Sequence, residues 1–359
     1  MSGIKSGSHP GRVNAHTHLY SGLAPFGMPA PSPTPENFVQ ILERVWWRLD
    51  RALDEDLLRA SAEYYVAAAL LKGTTTLVDH HESPHFIAGS LGVIAEVCER
   101  LGVRAILCYG ATERNFGADE ALAGLAECER FIAANTSPRL RGMVGLHASF
   151  TVSDETIART LSLCQRLGAR LHIHLAEDLA DVEDARQRGY ANPLDRLERL
   201  GNVPVGSILA HGIHVGADVM HHAEEEGYFF VQNPRSNDGN GVGYPAHFRD
   251  AKNVALGTDG YPADMPEEER FLLAAAAGHG DSEAAAGKRC AAGRALSRSF
   301  FGTDVHDDRI VLRGDVVEDV IIGGKQVVQG GRLVYGDFAD IEARAKSAAG
   351  ELWKRMGAF

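Results

Sequence analysis

The sequence predicts an α/β fold, a (β/α)8 TIM barrel carrying a reduced C-terminal β appendage and a terminal helix. Three observations predict it. Eight short, near-continuously apolar runs recur along the 359 residues, stretches with helical spacing alternate with them, and polar residues rich in histidine stand where the runs end.

The runs are 12–16, 74–79, 103–109, 142–147, 170–175, 207–211, 228–232 and 253–258. A strand buried on both faces reads this way. Between them, 56–72, 91–101, 119–134, 153–167, 192–200 and 218–226 place apolar residues three and four apart, as helices do. Asp154 and Glu155 open one helix with charges that suit its dipole, and Gly73, Gly102, Gly168 and Gly227 follow helix ends. Alternation alone also fits a doubly wound open sheet. The polar residues decide between the two. His16, His18, Asp79, His147, His174, His211, Asn233 and Asp259 all fall at the C-terminal ends of the runs. A barrel brings those ends to one mouth, whereas an open sheet spreads them along an edge.

After the barrel, 309–312, 316–322 and 326–328 are short strand-like runs, and Gly323-Gly324 and Gly330-Gly331 are hairpin signals. The stretch 340–356 reads as a last helix. Residues 10–304 are therefore expected to form the barrel, and 305–359 the appendage and helix. Ala24–Pro35 holds five prolines and is expected to lie over the mouth as a lid, with Phe26 and Met28 closing on the site.

Hydrophobic residues make up 45% of the chain, enough for a large core, and the net charge is −12. No basic patch appears, which argues against nucleic acid or an anionic membrane as partner. The five cysteines are scattered without paired spacing, as reduced thiols of a cytoplasmic protein are. Residues 1–10 are polar and lack the apolar segment of a signal peptide. No apolar stretch reaches membrane-spanning length, and the run 271–278 is far too short. The acidic run Glu267-Glu268-Glu269 reads as a solvated helix start.

Side chains alternate along a strand, so His16 and His18 in Val13-Asn14-Ala15-His16-Thr17-His18 share a face. With His174, in His-Ile-His-Leu-Ala-Glu, and Asp259, in Leu-Gly-Thr-Asp-Gly, they supply about the four ligands that a catalytic metal site uses. Such an ion brings bound water to hydroxide near neutral pH. Glu177, three residues past His174, is placed to carry a proton, and Asp259 to accept one. His211 is placed to polarise the attacked carbon's substituent. His172 is read as a barrel-interior residue. Glu82, in Asp79-His80-His81-Glu82, is a candidate outer or substrate contact. His147, and Arg235 and Asn237 in Asn233-Pro234-Arg235-Ser236-Asn237, are further substrate candidates, Arg235 for an anionic or carbonyl group. Trp46 and Trp47 are open between core packing and substrate contact.

These motifs, together with Lys72-Gly73-Thr74-Thr75-Thr76 and Ala210-His211, resemble in order those of the amidohydrolase superfamily over about residues 10–275. The likeness is greatest to its cytosine/guanine deaminase, S-adenosylhomocysteine deaminase and triazine chlorohydrolase branch. The resemblance implies a metal-dependent hydrolase that deaminates an amino-substituted nitrogen heterocycle, with His16, His18, His174 and Asp259 as ligands and Glu177 and His211 as acid/base groups. It implies an aromatic near Trp46 stacking on the substrate ring. Two alternatives stay open: the same scaffold acting as chlorohydrolase, N-alkylaminohydrolase or cyclic amidase, and a non-catalytic binding barrel. Binuclear relatives use a carboxylated lysine on the fourth strand. The run 142–147 has none, so one divalent ion is expected, Zn2+ first, with Fe2+ suiting the same donors. Relatives usually carry about fifty residues before the first histidine pair that complete a β-sandwich, and here nine residues precede Pro10-Gly11. A reduced appendage leaning on a homodimer partner is expected.

Overall fold

A computed structural model describes residues 6–249 and 251–359. The first five residues of the polar N-terminal stretch lie outside the described residues. In chain order the first ten strands are β1 (Ser6–Pro10), β2 (Arg12–Thr17), β3 (Thr74–His81), β4 (Arg104–Ala111), β5 (Leu140–Gly142), β6 (Val144–Ala148), β7 (Leu171–Leu175), β8 (Ile208–His211), β9 (Phe229–Gln232) and β10 (Val254–Leu256). From β2 to β10 they pair side by side and parallel in the order β2-β3-β4-β6-β7-β8-β9-β10, with β5 as a short extension beside β4. A parallel bridge between Thr17 and Asp259 joins the two ends. At this seam the amides of Thr258 and Asp259 both donate to the His16 carbonyl, at 3.1 and 3.0 Å. The expected barrel is therefore present, and its closing seam lies between two of the residues singled out for chemistry.

The strand sequences explain the burial. All eight residues of β3 and of β4 are buried: apolar and small residues fill their middles, and the polar ends, Asp79-His80-His81 on β3 and Arg104 on β4, are buried as well. Helices start where side chains cap them: Asp54 accepts from the Leu57 amide, Ser153 from that of Thr156, and Asn192 from that of Asp195. Two end on left-handed glycines, Gly102 at φ 86° and Gly168 at φ 60°. The helix Ala285–Phe301 packs over β2 and β10 and covers the seam.

The appendage is an antiparallel sheet in the order β1-β11-β12-β13-β14, where β11 is Arg309–Arg313, β12 Val316–Ile322, β13 Lys325–Gln329 and β14 Arg332–Leu333. Both Gly-Gly pairs turn with positive φ at each glycine, 55° and 75° at Gly323-Gly324 and 57° and 75° at Gly330-Gly331, which suits tight hairpins. Ser6–Pro10 joins this sheet through β11, so the chain's first described strand belongs with its last ones. Arg104, at the base of β4, grips Asp308 with Nε to Oδ2 at 2.6 Å, and this buried pair pins the appendage beneath the barrel. The final helix, Phe338–Met356, packs on the helix Glu55–Leu71.

Two expectations are corrected. The proline-rich segment does not close over the mouth with Phe26. The Phe26 ring sits 4.6 Å from that of Tyr64, and its carbonyl accepts from Trp353 Nε1 at 2.9 Å, so the segment is tied to the terminal helix. Met28 likewise packs against the hydrophobic core. Glu268 is not solvated either: it is fully buried against Arg235.

Candidate metal centre and active site

The barrel brings His16, His18, His174 and Asp259 together, with one ligand-type atom from each lying within 4.8 Å of the others. His16 ends the buried face of β2, and His18 follows the strand by one residue. His174 is on β7, and Asp259 follows β10. Asp259 Oδ1 lies 2.9 Å from His18 Nε2 and 3.3 Å from His16 Nε2. His174 Nε2 lies 3.3 Å from His18 Nε2. The Nδ1 atoms are all occupied elsewhere: His18 Nδ1 at the His80 carbonyl (2.5 Å), His174 Nδ1 at the His147 carbonyl (2.6 Å) and His16 Nδ1 at His172 Nε2 (2.9 Å). Each ring is thus held from behind and presents Nε2 to a common point. Outer contacts orient metal-binding histidines in this manner.

The donors fit a divalent cation. His16 Nε2 is buried and has no hydrogen-bond partner. Burial lowers the His16 pKa to about 3, and drives that of His174 well below the usual value, so both keep free lone pairs. Burial also opposes charge on His18, but hydrogen bonding and attraction to Asp259 outweigh it and raise the ring to about 9. The proton that His18 then holds is one a cation would displace. Three imidazoles and a carboxylate suit zinc or iron.

Glu177 follows His174 by three residues, and the chain between them turns at Ala176, whose φ is 49°. Glu177 Oε2 lies 3.4 Å from His211 Nε2, and Asn240 Nδ2 donates to Oε1 at 3.5 Å. Burial, reinforced by the Asp259 charge, pushes the Glu177 carboxyl well above the usual range. His211 and Asp259 also have left-handed backbones, with φ 76° and 53°. Such residues cost about 1–3 kcal/mol each and collect where function demands them.

A cavity opens above this cluster. Its aromatic and apolar wall is Tyr20, Phe38, Leu42, Trp46, Trp47 and Phe150, and its polar wall includes Asp50, Glu82, His147, Glu177 and Asp259. Much of the wall comes from the helical segments Phe38–Ile41, Leu42–Trp46 and Trp47–Arg51, the middle one a π turn. A π turn shifts side-chain phase within a helix and is frequent at functional sites. Here Leu42, Trp46 and Trp47 all reach the cavity. Glu82 faces His80, with Oε1 to Nδ1 at 2.8 Å, which helps hold its pKa low despite burial.

Not every expected residue is there. Arg235 is away from the cavity: its Nε pairs with Glu268 and its Nη2 donates to the Pro262 carbonyl. Pro234 starts a short helix, Pro234–Gly239, that turns Arg235 to Glu268 and Ser236 inward. Asn237 does not line the cavity either; its Oδ1 lies 3.0 Å from His211 Nδ1. Sequence reasoning missed Ser236, whose Oγ donates to Asp259 Oδ2, and Asn240 beside Glu177. It also missed Asp50, which is buried on the cavity wall with Oδ2 2.8 Å from Arg114 Nη2 and Oδ1 unpartnered. In Trp46-Trp47-Arg48-Leu49-Asp50-Arg51 it stands between two arginines, and nothing in that pattern marks it as buried.

Comparisons with known proteins agree with this architecture. The family model described as Amidohydrolase family matches residues 9–297. An 8-oxoguanine deaminase of Pseudomonas aeruginosa is 31% identical over 242 residues, covering 64% of this chain and 53% of that protein. A 5-methylthioadenosine/S-adenosylhomocysteine deaminase of Moorella thermoacetica is 30% identical over 277 residues, covering 75% of this chain and 62% of that protein. The chain thus spans between about half and three fifths of the length of these curated relatives. Among solved structures, an adenosine deaminase from Xanthomonas campestris with bound zinc superposes with a TM-score of 0.81 at 24% identity, over 97% of this chain and 86% of the other. An atrazine chlorohydrolase from Arthrobacter aurescens TC1 complexed with zinc gives 0.71 at 18%, over 96% and 88%. These likenesses carry the fold. The ordered histidine and aspartate motifs on the barrel's strand ends, and a family match over most of the sequence, place the chain in the amidohydrolase family.

Proposed function

We propose that this protein is a divalent-metal-dependent hydrolase that removes ammonia from an amino-substituted nitrogen heterocycle. One observation carries the reading: four ligand-type groups and the Glu177–His211 pair meet on one side of a cavity walled by aromatic rings. The deaminases among its relatives support the reaction class.

His16, His18 and His174 through Nε2, with Asp259 through Oδ1, would hold one ion. When bound, it supplies a Lewis acid that acidifies water at neutral pH. The protein's own groups do the rest. Trp46 and Phe38 orient a flat ring and exclude solvent. Asp259 takes a proton from the attacking water. Glu177, kept protonated by burial, gives its proton to the ring nitrogen next to the attacked carbon. His211 Nε2, 3.4 Å from Glu177 Oε2 and otherwise without a hydrogen-bond partner, is placed to orient that carboxyl. Asp259 then passes its proton to the amino group and the hydroxyl proton returns to Glu177, so that collapse of the tetrahedral carbon expels ammonia and leaves a carbonyl.

Zinc is the proposed ion, and a cytoplasmic homodimer the working unit. The five free cysteines support the compartment. The edge strand β1, paired on one side only among the described residues, offers a surface for a second copy.

The test is ammonia release from a panel of aminopurines, aminopyrimidines, pterins and triazines, with and without chelator. Glu177→Gln should retain the metal and lose about 10²–10⁴-fold in kcat. Release of chloride or an alkylamine instead would move the reading to another leaving group. Turnover undiminished by complete metal removal would end it.

A further inference from the structure

Behind His16, away from the cavity, lies a chain of buried polar groups that the proposed reaction does not use. His172, on β7 two residues before His174, is fully buried, with its Nε2 2.9 Å from His16 Nδ1. Its other nitrogen, Nδ1, is 3.7 Å from Cys108 Sγ. Cys108 Sγ in turn lies 3.5 Å from the Asp79 carbonyl. His172 is therefore bonded at both ends inside the barrel.

The order of donors in this chain is fixed from its far end. A carbonyl only accepts, so the Cys108 S–H donates to the Asp79 oxygen. Burial pushes the thiol far above its usual range, so it keeps that hydrogen. The sulfur is then an acceptor towards His172 Nδ1–H. A neutral imidazole with hydrogen on Nδ1 has its lone pair on Nε2, and Nε2 accepts from His16 Nδ1–H. His16 is left with a bare Nε2 aimed at Asp259 and the other ligands. His16, His172 and Cys108 each give one hydrogen, His172 and Cys108 each also receive one, and all the hydrogens point the same way, towards the Asp79 carbonyl.

We infer that His172, backed by the Cys108 thiol, is a positioning residue that sets the tautomer and ring angle of His16 and so tightens the metal site. His18 and His174 are oriented by backbone carbonyls. His16 is the exception, since its anchor is a side chain that can be replaced. The inference rests on the proposed metal reading.

The experiment measures Zn2+ affinity by competition with a chromophoric chelator and records the visible spectrum of the cobalt-loaded protein. It compares the full-length protein with His172→Phe, His172→Gln and Cys108→Ala. His172→Phe should weaken zinc about 10–100-fold, the usual effect of losing an outer partner, and should alter the cobalt bands. His172→Gln, whose Oε1 can accept from His16 Nδ1, should recover affinity to within a few-fold of the parent. Cys108→Ala should fall between them. Should the phenylalanine variant not fold, His172→Met, apolar and without an acceptor nitrogen, takes its place with the same expectation. Equal zinc affinity and an unchanged cobalt spectrum in the phenylalanine or methionine variant would overturn the inference while leaving the metal site standing. A parent protein that binds no zinc would instead remove the metal reading, and this inference with it.

Discussion

Glu177 and His211 meet with Oε2 3.4 Å from Nε2, although they lie on different strand ends and 34 positions apart in sequence. Both approach from left-handed backbone positions: Ala176, just before Glu177, has φ 49°, and His211 has φ 76°. Asn237 Oδ1 holds the far side of that ring at 3.0 Å. His211 itself has no exposed surface and does not line the cavity, so it reaches the reaction through Glu177 or through the metal cluster.

If the two act as one unit, their removal should not be additive. His211→Asn is expected to lower kcat about 100-fold or more. Glu177→Gln should lower it further, and the double variant should be no worse than Glu177→Gln alone. Steady-state kinetics on the three proteins check this. Losses that multiply would assign separate roles.

Ser236 touches Asp259 Oδ2 and leaves Oδ1 to the histidines. It also accepts from Asn240 Nδ2 at 3.2 Å, so one hydroxyl ties the Asp259 carboxylate to the Glu177 neighbourhood. Ser236→Ala frees the carboxylate to rotate. Zinc affinity should drop about 10-fold or more, with little change in thermal stability. Equilibrium dialysis with metal analysis measures the first and a melting curve the second.

Much of the barrel was legible because its strands are buried on both faces and read as unbroken apolar runs; β3, β7 and β8 start and end within two residues of the expected positions. Strand-end polarity then named the residues that share the mouth. Other parts had no such pattern. The strand Ser6–Pro10 has no β-branched or aromatic residue, and pairing with β11 makes it a strand. The helix Ala285–Phe301 is rich in alanine, glycine and serine, and its packing on β2 and β10 replaces a stripe of large apolar side chains. Arg235 was misplaced because a motif gives residue types and not the direction in which a short helix turns them. Asp50 was missed because its partner, Arg114, comes from after β4.

Arg235 and Glu268 make a buried pair with side chains 11% and 0% exposed. This supports a structural role, and it separates the two readings of the residue. Arg235→Ala should leave the Glu268 charge unpaired and cost about 3–5 kcal/mol, with KM for the substrate unchanged in the folded fraction. Arg235→Met with Glu268→Leu should recover most of that loss, because no buried charge remains. Denaturant unfolding of the single and double variants gives the numbers. A raised KM in Arg235→Ala without loss of stability would return the residue to the substrate.

Gly260 follows Asp259, and the indole of Trp46 lies directly against its backbone. A methyl group built on Gly260 would meet Trp46 Cη2 at 2.8 Å, Cζ3 at 3.1 Å and Cζ2 at 3.3 Å. The first distance is closer than carbon atoms in ordinary contact allow, so the ring must move. Trp46 lines the cavity, and it packs among Phe38, Leu42, Ile213 and Val242, which limits where it can go. Gly260→Ala should therefore displace the aromatic wall while leaving the His16, His18, His174 and Asp259 donors in place. KM is expected to rise several-fold, and zinc content to stay at the parent level. Trp46→Ala in the same background should add little, because the displaced ring has already lost its contact. An unchanged KM in Gly260→Ala would mean that the ring does not touch the substrate and serves only as packing.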